Sequence, residues 1–191
     1  MRQYRGFIFD LDGTLVDSAL DFAAIREDLG LAENEPILES IAPWSPDERV
    51  KAYRIIDRHE EAGANASILI PGVAEFLAKL KKENKLTAVF TRNSKKVTQL
   101  TLAKHALEFA VVMTRDDAPA KPDPTALHLI AKQWNCANHE MLFVGDYLYD
   151  LRAGIAAQVP TALYLTSDPD FDTEGACFSF RSYSELIAGF E

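Results

Sequence analysis

The sequence predicts an α/β protein, with a parallel sheet covered by helices on both faces and a small helical module inserted after the first strand. Three observations lead there. Short apolar runs alternate with stretches of helical spacing. Residues 17 to 66 break that rhythm, being rich in Ala, Glu, Asp and Arg and poor in strand-like runs. Polar residues recur at the carboxyl ends of the apolar runs, where parallel sheets bind ligands.

The first run, Gly6-Phe7-Ile8-Phe9, suits a strand buried on both faces, and it ends in Asp10-Leu11-Asp12-Gly13-Thr14. In the module, Phe22, Ile25 and Leu29 fall at helical spacing. So do Ala52, Ile55, Ile56 and His59, behind an N-cap and first helical position at Ser45-Pro46. Asp17 and Ser18 are expected to cap the module's first helix. Trp44 and Tyr53 are expected in its core, and His59 is expected to be packed rather than reactive. From Pro71 onward, Val73, Phe76, Leu77 and Leu80 form an amphipathic stripe. Leu86 to Phe90 reads as a strand. The next helix is expected to turn Val97, Leu100 and Leu107 inward. Phe109 to Met113 is a strand, and Ala126, Leu127, Ile130, Ala131 and Trp134 mark a helix. Met141 to Val144 is a strand, Leu148 to Gln158 a helix and Thr161 to Leu165 a strand. Cys177 to Phe180 is a last strand before a helix near Ser184 to Ile187. The boundaries predict a core of residues 1–16 and 71–191 and a module of residues 17–70.

A chain of 191 residues suits one ample core with a small module. The 20 Lys and Arg against 29 Asp and Glu give a net charge of −9, which disfavours a nucleic acid duplex as main partner. No apolar run reaches the length of a membrane helix, and Asp10 and Asp12 interrupt the only apolar start a signal peptide would have. Cys136 and Cys177 form no CxxC pair, so no disulfide framework or thiolate zinc site is expected, and both are expected as small buried residues. These features predict a cytoplasmic protein with no membrane partner. The patterning specifies no oligomeric state.

Five segments project functional groups to one edge of the sheet: Asp10 and Asp12; Thr91, Arg92 and Asn93; Lys121; Asp146; and Asp150. Carboxylates gathered in a desolvated cleft repel one another, and a hard dication such as Mg²⁺ relieves the conflict. A hydroxyl at Thr91, free N–H groups near Ser94 and the charge of Lys121 complete a phosphate-binding set.

Asp10-Leu11-Asp12-Gly13-Thr14-Leu15-Val16-Asp17-Ser18 closely resembles the first motif of the haloacid dehalogenase-like superfamily. Thr91 after its strand, Lys121 in Ala120-Lys121-Pro122-Asp123-Pro124, and Gly145-Asp146 through Asp150 resemble the second, third and fourth motifs, in the family's order. The resemblance implies a Rossmann-like core with a small α-helical cap, nearest to the phosphoglycolate phosphatase-like group. It implies an Mg²⁺-dependent phosphatase acting on a small phosphorylated metabolite through an aspartyl phosphate. In that mechanism Asp10 is the nucleophile and Asp12 the general acid and base. Asp10, Asp146, Asp150 and the Asp12 backbone carbonyl surround the metal. Thr91 and Lys121 hold the phosphoryl group, with Arg92 and Asn93 beside them. Tyr147 departs from the small residue that often follows the metal-binding Asp in that group, and it is expected to crowd the site or lean on the cap. One alternative passes the phosphoryl group to a bound sugar phosphate, as in the superfamily's phosphomutases. Another is a phosphate-binding protein without turnover. A dehalogenase would need neither Mg²⁺ nor Asp12, and a phospho-aspartate receiver carries its reactive Asp after a later strand.

Overall fold

A computed structural model describes residues 1–189. The chain runs through β1 (Gly6–Phe9), β2 (Val16–Asp17), α1 (Phe22–Leu29), α2 (Ile37–Ile41), α3 (Pro46–Ala66) and β3 (Ile68–Leu69). It continues through α4 (Val73–Lys82), β4 (Leu86–Phe90), α5 (Lys95–Lys104), β5 (Val111–Met113) and α6 (Thr125–Trp134). After a 3-10 turn at Asn138–Glu140 come β6 (Met141–Gly145), α7 (Leu148–Ala157), β7 (Thr161–Tyr164), β8 (Phe178–Phe180) and α8 (Tyr183–Ala188).

The main sheet has the order β5-β4-β1-β6-β7-β8, and every neighbouring pair is parallel. β1 is central. The chain builds outward on one side through β4 and β5, then returns past β1 to build the other side. That reversal places a crevice at the carboxyl end of β1.

Each face of the sheet has its own core, because strand side chains alternate. Phe7 and Phe9 point to one face and pack with Phe76 of α4 and Tyr183 of α8. Ile8 points to the other and joins Phe90, Phe143 and the α6 residues Leu127 and Ile130. A third apolar cluster, containing Ile25, Leu29, Ile41, Ala52 and Ile56, lies within α1, α2 and α3. Ser45 caps α3 with a reciprocal capping box to Glu48, and Pro46 opens the helix, as the sequence predicts. Among the described residues no helix is long and apolar enough to cross a membrane.

Several local expectations are corrected. Asp21, not Asp17 or Ser18, caps α1, accepting from the N–H groups of Ala23 and Ala24. Asp17 instead accepts from Ala19 N. α5 buries Val97, Thr98 and Thr101 rather than Leu100 and Leu107. The two threonine hydroxyls bond back to the carbonyls of Ser94 and Val97, so they enter the interior with their polar atoms satisfied. β2 and β3 form an antiparallel ribbon at the base of the helical segment, which the sequence reading did not anticipate. Trp44 packs against the segment's own cluster, but Tyr53 is exposed and lies under the Arg115 guanidinium. His59 is neither buried nor catalytic in setting, since its ring bonds Asp28 at 2.8 Å. Cys136 packs at the edge of the second core, whereas Cys177 is exposed.

Candidate active site

The parallel register assembles the site from strand ends. Phe9 is level with Val89 of β4 and Val144 of β6, and the Asp10 N–H donates to Val144 O at 2.9 Å. Asp10 therefore leaves the sheet where Thr91 and Asp146 leave the adjacent strands. Gly13 turns the chain with φ +78°, and a Cβ there would collide with the Asp146 carboxylate. A Cβ on Gly145 would likewise collide with Asp150. Both glycines permit carboxylates to approach the backbone closely.

Carboxylate oxygens of Asp10, Asp146 and Asp150 lie within 4.8 Å of one another. Lys121 is fully buried among them, with Nζ 2.6 Å from Asp10 Oδ1 and 2.7 Å from Asp150 Oδ1. Asp10 Oδ1 also accepts from Leu11 N, and Asp146 Oδ1 accepts from the Thr14 hydroxyl. Asp150 receives the N–H groups of Asp146 and Tyr147, so it both caps α7 and grips Lys121. One ammonium faces three acids, and the electrostatics show the surplus. Burial pushes Asp10 up to about 7 against the pull of Lys121, with Asp150 and Asp12 adding to the rise. Burial, then Asp150 and Asp10, push Asp146 up to about 8. Burial works against the Lys121 charge, but Asp10 and Asp150 outweigh it and hold its pKa above the ordinary lysine range. Asp10 is thus not the ordinary free carboxylate that its residue type suggests. The donor set is all oxygen, short of positive charge and open on one side, which fits a hard dication.

Asp12 stands apart from this cluster. Its Oδ2 accepts from Asn93 Nδ2 at 2.6 Å, and Ser18 bonds the same carboxylate. Burial raises its pKa, and the Ser18 and Asn93 bonds oppose the rise. Thr91 is buried, with its hydroxyl accepting from Asn93 N. The side chains of the two residues after Thr91 are otherwise engaged. Arg92 makes a two-pronged pair with Glu39 of α2, donates to the Lys121 carbonyl and lies 4.2 Å from the centre of the Tyr149 ring. Asn93 is turned onto Asp12.

The structure therefore brings Asp10, Asp146, Asp150 and Lys121 together, with Thr14 bonded to the cluster, and sets Asp12 beside Asn93. The sequence reading missed the side-chain roles of Asn93 and Thr14. It also missed Arg115, which reaches from the loop after β5 to Glu60 and Asp57 of α3. Tyr147 is 46% exposed and packs edge-on against Tyr149 and Phe171, forming one wall of a cavity of about 710 Å³ that reaches Gly13 and Asp146.

Comparison with known proteins agrees with this architecture. Residues 20–164 match the sequence pattern of the haloacid dehalogenase-like hydrolases. A haloacid dehalogenase-like hydrolase domain-containing protein of Arabidopsis thaliana is 34% identical over 157 residues, covering 76% of this chain and 64% of that one. A phosphoglycolate phosphatase of Photobacterium profundum is 31% identical over 82% of each chain. The crystal structure of a hydrolase from Pseudomonas syringae superposes with a TM-score of 0.77 at 26% identity, over 97% of both chains. The chain thus spans just under two thirds of its plant relative and about four fifths of the bacterial one. The sheet order, the strand-end aspartates and these matches lead to one conclusion: the chain belongs to the haloacid dehalogenase-like hydrolase family.

Proposed function

We propose that the chain is an Mg²⁺-dependent phosphatase that hydrolyses a small phosphate monoester through an aspartyl phosphate on Asp10. The observation that carries this reading is the division of labour among the aspartates. Three carboxylates crowd together with Lys121 bonded to two of them, a surplus that calls for a further cation, while Asp12 is held separately, hydrogen-bonded by Asn93. Asp10, Asp146 and Asp150 would hold magnesium, with the Asp12 carbonyl as a fourth donor. Bound there, the ion neutralises charge on the phosphate and restores Asp10 to the ionised form.

Lys121 fixes the Asp10 carboxylate through its 2.6 Å contact and offers positive charge to the phosphate. The Thr91 hydroxyl binds a remaining phosphate oxygen, while the Lys95 and Val97 N–H groups at the start of α5 are already taken by Asp116 and Ser94. The free oxygen of Asp10 attacks phosphorus as the ester P–O bond breaks. Asp12, whose burial favours the protonated form, gives its proton to the departing alkoxide. Water then attacks phosphorus, Asp12 takes a proton from it, and Asp10 is released with inorganic phosphate. The cavity beside Gly13 and Asp146 leads from solvent to the cluster, which supports water over a second substrate as acceptor. The helices α1, α2 and α3 act as a small cap, held to the core by the Arg92–Glu39 and Arg115–Glu60 pairs.

Phosphate release from a panel of monoesters tests the proposal. Turnover should require both Mg²⁺ and Asp10, vanishing with EDTA and in Asp10→Asn. Wild-type protein that binds a phosphate analogue with Mg²⁺ yet releases no phosphate from any ester would overturn hydrolysis.

A further inference from the structure

The cations around the reacting groups already have acidic partners. Lys121 is committed to Asp10 and Asp150. Arg92 is held by both oxygens of Glu39, at 2.9 and 3.0 Å. Arg115 has a side chain only 5% exposed, and it binds the Glu60 carboxylate at 2.7 and 2.9 Å and Asp57 at 2.5 Å.

This last group stands close to the catalytic acid. Arg115 Nη1 also donates to Arg92 O, and the Arg115 backbone N–H donates to Asn93 O. Asn93 in turn holds Asp12. Glu60 is near enough for the Asp12 charge to act on it. Two carboxylates and one guanidinium leave this trio with a net charge of 1 − 2 = −1. On the other flank, the cavity beside Asp146 is walled by Asp17, Asp170, Tyr147 and Phe171, and no Lys, Arg or His lines it among the described residues.

A substrate phosphate uses Lys121 and the metal. A second anionic group on the same substrate then needs its own cation or must stay desolvated and unpaired beside carboxylates. A hydroxyl has no such difficulty, since it donates to those carboxylates. Resting on the phosphatase reading, we infer that the site selects monoesters with an uncharged, hydroxyl-bearing leaving group and rejects a carboxylate next to the ester, with Glu60 as the main determinant of rejection.

Two esters of nearly the same size isolate the effect, 2-hydroxyethyl phosphate and 2-phosphoglycolate. They are compared by kcat/KM with Mg²⁺ at pH 8, above the value of about 7 to which burial raises Glu60. p-Nitrophenyl phosphate reports on phosphatase activity itself. The hydroxyethyl ester should lead by about tenfold or more at low salt, and the lead should shrink in 0.5 M NaCl as the repulsion is screened. Glu60→Gln keeps a hydrogen-bonding partner for Arg115 and removes one charge, so it should cut the lead several-fold. Phosphoglycolate turned over as well as or better than the neutral ester by wild type overturns the inference while leaving the phosphatase reading intact. A folded Glu60→Gln with an unchanged ratio removes Glu60 as its determinant. Release of phosphate from none of the three esters refutes the phosphatase reading and the inference together. The wild-type comparison and its salt dependence stand even where the variant fails to fold.

Discussion

Two polar clusters in this molecule are joined through Asn93, which holds Asp12 and accepts from the Arg115 N–H, and their charges are balanced differently. At the sheet edge, Asp10, Asp146 and Asp150 gather with Lys121 bonded to two of them, because the β1–β6 ladder and the start of α7 put them there. At the seam, Arg115 meets Glu60 and Asp57 from a separate helical segment, and attraction between the groups makes the joint. The first cluster exists despite its charges. In the second, burial still lifts Glu60 to about 7, but the two Arg115 bonds pull against that rise. A cluster set on strand ends can carry electrostatic strain, since hydrogen-bonded strands outweigh it.

The strongest challenge to this contrast is Asp10→Asn. Phosphate release should fall by roughly 10³-fold or more. Relief of repulsion should leave the melting temperature of the metal-free protein unchanged or higher. A loss of several degrees would mean that the cluster is held by its charges after all. At the seam the expectation reverses. Arg115→Met strands Glu60 and Asp57 without a cation and should cost about 3–5 kcal/mol. For a chain of this size that lowers the melting temperature by roughly 6–20 °C in a thermal scan. A shift under a degree would show that packing, not charge, closes the seam.

Titration acts on both clusters in the same direction. In the folded protein Asp10 is raised to about 7, Asp146 to about 8 and Glu60 to about 7, all above ordinary carboxyl values. Between those values and the unfolded ones, the native state binds more protons than the unfolded state. Stability from these groups is therefore full below about pH 4 and is lost as pH rises through 7 to 8. Without divalent ions the melting temperature should fall from pH 5 to pH 8. Added Mg²⁺ should raise it more at pH 8 than at pH 6, because ligands must be deprotonated. Equal shifts at both values would remove the sheet-edge cluster as the metal site.

Asn93→Ala probes the link between the clusters. Its amide favours the ionised form of Asp12, so its loss should raise the Asp12 pKa further. The alkaline limb of the kcat profile should move to higher pH, with a fall in kcat of about tenfold and little change in KM. The smallest effect belongs to Glu39→Gln. Its pair with Arg92 is partly exposed, at 38% and 22%, and should be worth less than about 1 kcal/mol. A larger loss would make this pair a second structural joint rather than a surface contact.

The core and its strand-end aspartates were legible because each leaves a local mark. A buried strand is a run of apolar residues, and Asp10-Leu11-Asp12-Gly13-Thr14 is a compact string. The partnership of Arg115 with Glu60 leaves no such mark, because 55 residues separate them and only the packing of α3 on the core brings them together. Asn93 read as part of the phosphate-binding set because nothing in its neighbourhood points to Asp12, 81 positions earlier. The buried face of α5 was misjudged because Thr98 and Thr101 look polar until their hydroxyls are seen bonded within the helix. The β2–β3 ribbon has two residues per strand, too few for any alternation to register.

The central place of β1 has a consequence for the chain's birth. Its partners, β4 and β6, begin at residues 86 and 141, and the Tyr183 hydroxyl that braces the Thr14 carbonyl is later still. During synthesis the strand that leads to Asp10 emerges before either neighbour and waits as an apolar ribbon with both edges unpaired. Synthesis must proceed through residue 145 before that strand is flanked on both sides, and through residue 183 before the loop beside it is braced. Until then the nascent chain exposes an apolar segment that runs into Asp10 with no partner strand to cover its edges.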